Sequence, residues 1–172
     1  MNKDGGVDLA SMTYEEVYSR FFTKVEAYDL LSERMDIDNV REEFMCNWLH
    51  SAIYNPYIRK QFSSIEMDDI ESSFEYTLRY SIDDSADKDF ILEVLSYGMM
   101  FAWVEPKVNS ITNIAQTFGT SDEKFYSQAA HLSELRALRD DMDRKVRSLI
   151  RDRGYLNNAY LDGKAKSATM RG

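Results

Sequence analysis

Two histidines, one cysteine and several paired acids are the residues with reactive chemistry to offer in this 172-residue chain. Cys46 and His50 stand four apart, so on a helix a thiolate and an imidazole share one face and can share a metal ion. No second Cys/His pair completes a tetrahedral set, and the expectation is that no metal is held. Cys46 as a nucleophile with His50 as its base is a poorer reading, because Phe44, Trp48 and Leu49 indicate a packed neighbourhood. His131 and Glu134 also share a helix face, in the reverse order of the Glu-x-x-His of di-metal bundles, and read as an ordinary polar pair. Asp68–Asp69, Asp83–Asp84 and Asp140–Asp141 read as solvent-side charge rather than catalytic dyads. The glycines (Gly5–Gly6, Gly98, Gly119, Gly154, Gly163) are isolated or terminal and build no phosphate loop. The expectation is a non-enzyme, with no catalytic, cofactor-binding or metal residues.

The elements that carry these residues are mostly helical. The most strongly marked is residues 120–154. Thr120 and Glu123 have capping-box spacing, Asp122 and Glu123 suit the positive end of the helix dipole, and Arg151 and Arg153 suit the negative end. Gly154 is placed to end the helix. Phe125, Leu132, Leu135, Met142, Val146, Leu149 and Ile150 form one apolar stripe on a rod about 50 Å long.

Upstream, a Thr13/Glu16 capping box opens a helix reaching about Leu31, with Tyr14, Val17, Phe21, Val25 and Tyr28 on one face. A second helix starts near Asp38 or Asn39. Its stripe is Val40, Phe44, Trp48 with Leu49, and Ala52 with Ile53, and Asn55–Pro56 ends it. Pro56 suits the first position of a further helical turn. Phe74, Tyr76, Leu78, Tyr80 and Ile82 alternate with polar residues as in a half-buried strand. Its partner is either the piece around Ile65 and Met67 or a neighbouring subunit. A helix apolar on nearly all faces spans about residues 87–104 and stops at Glu105–Pro106. A shorter one, with Val108 and Ile111, closes at Gly119. The three main stripes are expected to meet in one core that buries Trp48, Leu95, Phe101 and Leu135.

The fold expected is mainly α: a bundle of four to six helices with a long C-terminal helix, a small β element and an extended C-terminal tail. Residues 1–12 read as a flexible arm, 13–154 as the helical domain, and 155–172 as a docking tail. The apolar run at residues 94–104 is too short to span a bilayer, and no membrane association is expected. The net charge of −9 is uneven. Residues 144–172 hold eight bases and two acids, which leaves +6 there and −15 on the rest. That acidic body opposes a direct role in gripping nucleic acid through residues 144–153 and Tyr155.

Four segments together resemble a known family: TYEEVYSRFFTKVEAYDL, NWLHSAIYNPYIRKQFSS, FILEVLSYGMMFAWVEPKVNS and EKFYSQAAHLSELRALRDDMDRKVRSLIRDRGYLNNAYL. In this order they are similar to head–tail connector (adaptor) proteins of tailed bacteriophages infecting Gram-positive hosts. The resemblance covers most of residues 13–161. It implies a helical, non-enzymatic structural subunit of the virion neck, assembled in the host cytoplasm. It also implies a homo-oligomeric ring, commonly of twelve copies, beneath the portal protein. A downstream neck or tail protein is a further partner, and DNA passes through the ring without sequence-specific binding.

On this reading the portal-docking residues are Arg151, Arg153, Tyr155, Leu156, Tyr160, Leu161, Lys164, Lys166 and Arg171. Two Tyr-Leu pairs anchor an extended segment, and the bases add attraction to an acidic partner. The competing reading is a soluble helical regulatory or inhibitor module that binds a host protein through its acidic surface. An enzyme with a carboxylate-bound metal ranks last.

Overall fold

The computed structural model describes residues 10–27, 42–117 and 122–156, which form five helices and a three-stranded sheet. Strand β1 (Ala10–Thr13) runs directly into helix α1 (Tyr14–Ala27). The Thr13/Glu16 capping box forms as the sequence requires. The Thr13 N–H donates to Glu16 Oε2 at 3.0 Å, and the Glu16 N–H donates to Thr13 Oγ1 at 3.4 Å. Val17, Phe21 and Val25 then point wholly into the core. Residues 10–12, expected in the arm, instead belong to the sheet, because Met12 is apolar, buried and paired opposite Phe74.

Helix α2 (Glu42–Tyr54) is followed by a short α3 (Pro56–Arg59), with Pro56 in the first turn and Asn55 as its cap. Asn55 Oδ1 accepts from the Tyr57 N–H at 3.0 Å. Strands β2 (Phe62–Asp68) and β3 (Ser73–Leu78) form an antiparallel hairpin. Asp68 Oδ1 accepts from the N–H groups of Ile70 and Glu71 in the connecting turn, and Ser72 sits at φ 48.

Of the two partners open to the strand at Phe74, the chain uses its own Ile65–Met67 segment. It uses β1 as well, giving the order β1-β3-β2. β3 is thus central and has no free edge for a neighbouring subunit. It ends at Leu78, so Tyr80 and Ile82 are not strand residues and both are exposed.

Helix α4 (Asp84–Thr117) merges what the sequence divides into two helices. It begins under an Asp83 cap whose Oδ1 accepts the Ala86 N–H at 2.9 Å. Pro106 does not stop it. Proline removes one helical hydrogen bond and costs about 3 kcal/mol in a helix interior. Around Pro106, however, Trp103, Val104 and Val108 pack against Leu132, Leu135 and Leu138 of α5 (Asp122–Leu156), which offsets that loss. The expected cap at Thr120 lies outside the described residues. Helix α5 also passes through Gly154, which therefore does not terminate it.

α4 is the hub of the fold, touching α1, α2, α3 and α5. Its Gly98 permits a close approach to α2 and α3. A Cβ there would sit 2.8 Å from Ala52 Cβ and 2.9 Å from Ile58 Cδ1. Leu95 and Leu135 are buried as expected, whereas Trp48 and Phe101 are half-buried. Two apolar clusters result. The larger joins the sheet, α1, α2, Ile58 of α3 and the first half of α4 to Met142 and Val146 of α5. The smaller lies between α4 and α5, and Trp48 and Leu138 touch both. Among the described residues, no helix is long and apolar enough to cross a membrane.

Candidate functional site

Among the described residues, two places gather the side chains that the sequence singles out. The first is where α2, the start of α1 and the β2–β3 turn meet. Helical spacing puts Cys46 and His50 on one face of α2, as the sequence indicates. The fold then adds a third donor that spacing alone does not reveal. Asp69, in the turn between β2 and β3, directs Oδ1 to within 2.9 Å of His50 Nε2 and 3.8 Å of Cys46 Sγ. All three donor atoms lie within 4.8 Å of one another. The Tyr14 hydroxyl donates to the same Asp69 oxygen at 2.6 Å.

These contacts set the protonation states. Hydrogen bonds from Tyr14 and then His50 hold the Asp69 carboxyl below the usual carboxylate range. Burial, reinforced by the bond to Asp69, pushes the Tyr14 phenol far above its ordinary value, so it stays a donor. A Cys–His–Asp relay would need the imidazole between thiol and carboxylate, using its two nitrogens in turn. Here the thiol and His50 Nε2 both converge on one carboxylate oxygen. This geometry is not that of a Cys–His–Asp relay.

The second place is the end of α5. Asp141, Arg144, Lys145, Arg147, Ser148 and Arg151 line an open groove along its outer face. Several of these bases are held by acids of their own helix. Arg147 Nε donates to Asp143 at 2.7 Å, Arg144 lies 3.5 Å from Asp141, and Arg151 Nε donates to Asp152 at 3.3 Å. The Arg147 guanidinium also lies over the Tyr57 ring, 4.1 Å from its centre.

Arg153 behaves differently from its neighbours. Expected to face the portal, it is turned inward, and its side chain is only 8% exposed. It pairs with Asp87 at the start of α4, donates to the Tyr80 carbonyl at 2.9 Å and covers the Phe90 ring at 4.4 Å. It is a structural clasp between the two long helices. Its inward course also explains why Gly154 continues the helix, since the pair holds that last turn against the body.

Arg151 and Tyr155 are exposed, as docking requires. Leu156 is the last residue of α5, and its side chain lies outside the described residues. Tyr160, Leu161, Lys164, Lys166 and Arg171 lie outside them too, as does the His131 side chain. Asp69 and Tyr14 are the residues sequence reasoning missed. Asp69 is 19 positions beyond His50, and only the hairpin returns it to α2.

The chain matches no family model, no curated protein and no solved structure.

Proposed function

We propose that this protein is a non-enzymatic structural subunit of the virion neck, a head–tail connector. In this proposal it forms a homo-oligomeric ring beneath the portal and joins the capsid to the tail. The observation that carries the reading is the long hairpin of α4 and α5. Two helices of 34 and 35 residues, each about 50 Å long, are clasped at one end by Asp87 and Arg153. They rise from a body whose other elements are short.

A pair of helices this long suits lateral packing of identical copies around a ring. Phe44, Tyr54 and Tyr57 add exposed aromatic surface along α2 and α3. In sequence, the bases along the groove of α5 directly precede residues 157–172, so the basic end of the chain follows its acidic remainder. An acidic body suits a channel through which DNA slides without adhering.

The test is the mass of the purified protein, alone and mixed with a portal assembly from the same genome. A closed ring, or a stoichiometric complex with the portal, is expected. Deleting residues 155–172 keeps the Asp87–Arg153 clasp and should leave folding intact while abolishing portal binding. A persistent monomer that ignores the portal would refute the connector reading and favour a host-protein-binding module. Full portal occupancy by the truncated chain would refute docking through the tail.

A further inference from the structure

We infer that Cys46, His50 and Asp69 form a binding site for a thiophilic divalent cation, zinc, which ties α2 to the β2–β3 turn. Three donor types meet there: a sulfur, an imidazole nitrogen and a carboxylate oxygen. In tetrahedral zinc, bond lengths of about 2.3 Å to sulfur and about 2.0 Å to nitrogen or oxygen place neighbouring ligand atoms about 3.3–3.6 Å apart. The structure has Asp69 Oδ1 at 3.8 Å from the sulfur and 2.9 Å from the nitrogen, with no separation in the set above 4.8 Å. Closing the set around an ion changes these separations by about an ångström.

One cation can be shared by all three groups, whose donor atoms already lie within 4.8 Å of one another. A thiolate and a carboxylate supply two negative charges against the two positive charges of the ion, and His50 binds as neutral imidazole. Sulfur and imidazole together select zinc over magnesium or calcium.

Tyr14 stays on Asp69 as an outer partner that orients the carboxylate. The Asp69 side chain is 56% exposed, so an ion can enter from solvent and a fourth position is open to water. Cys46 is the only cysteine, so no internal disulfide competes for the sulfur. The bound ion would fasten α1, α2 and the hairpin turn at one point. The inference does not depend on the connector reading.

The experiment uses tag-free, chelator-stripped full-length protein titrated with zinc against a chromophoric competitor, and separately with cobalt(II). Expected are one ion per chain, release of about one proton per ion near neutral pH, and a thiolate-to-cobalt charge-transfer band. Cys46→Ser should remove that band. Asp69→Asn, which retains an acceptor for Tyr14 and His50, and His50→Ala should each weaken zinc binding at least tenfold. Magnesium and calcium should not compete. Absence of the charge-transfer band, or unchanged zinc affinity in Cys46→Ser, overturns the inference. Should a variant fold poorly, alkylation of Cys46 in the unaltered protein decides. Zinc must slow it at least tenfold, and unprotected alkylation at saturating zinc refutes the site.

Discussion

Replacing Arg153 with methionine should be among the most damaging single changes in the chain, although the residue sits one turn from the end of the described structure. The two partners of the clasp are 8% and 11% exposed. Methionine keeps most of the volume of the arginine stem but leaves Asp87 buried and without its cation. Losing one member of a buried pair costs about 3–5 kcal/mol, mostly through the abandoned charge. A domain of this size has about 5–15 kcal/mol of net stability, so the loss is a large share of the total.

Asp87 would keep its bonds from Ser81 and the Ile82 N–H, the latter at 3.0 Å, which favours the lower end of that range. Urea unfolding followed by Trp48 and Trp103 fluorescence measures the change. Adding Asp87→Asn to Arg153→Met should recover about 1 kcal/mol or more relative to additivity, because the stranded charge is gone.

The effect should also depend on pH in a defined direction. Burial works against the Asp87 carboxylate, but hydrogen bonds from Ser81, Ile82 and Arg153, together with the Arg153 charge, outweigh it and hold its pKa below the ordinary value. A depressed folded-state pKa stabilises the protein above the unfolded pKa, and that stability is lost as pH falls through the folded value. The gap between the unaltered protein and Arg153→Met should therefore narrow in acid. An Arg153→Met protein within about 1 kcal/mol of the original at pH 7 would refute the clasp.

Gly98→Ala should destabilise the fold by about 1–3 kcal/mol in urea unfolding, because the new methyl meets Ala52 and Ile58 at less than contact distance. An additional Ile58→Val should recover part of the loss by retracting the atom that is struck. Leu95→Ala, at a fully buried position, should cost about 2–5 kcal/mol in the same assay, whereas Phe101→Ala, half-buried, should cost less than the roughly 3–5 kcal/mol of a fully buried phenylalanine. A larger loss at Phe101 than at Leu95 would contradict the packing of α4.

Local rules were legible in the sequence wherever a few neighbouring residues decide the outcome. The Thr13/Glu16 box, the turn opened by Pro56, the alternation through Phe74, Tyr76 and Leu78, and the all-round apolar helix near Leu95 all appear in the structure. Each depends on backbone hydrogen bonds or side-chain periodicity within one element. The mainly helical fold with a small sheet follows from them. Tertiary packing decided the rest, in several places by overriding a local signal. Pro106 lies within α4 because contacts with α5 outweigh one missing hydrogen bond. Gly154 lies within α5 because the neighbouring Arg153 finds an anion at the start of α4. Residues 10–12 became a strand because β3 had an unpaired edge. The joining of Asp69 to Cys46 and His50 was least legible of all. Their convergence depends on where a hairpin turn falls against a helix, and that position is set by the packing of the sheet, α1 and α2 rather than by any spacing along the chain.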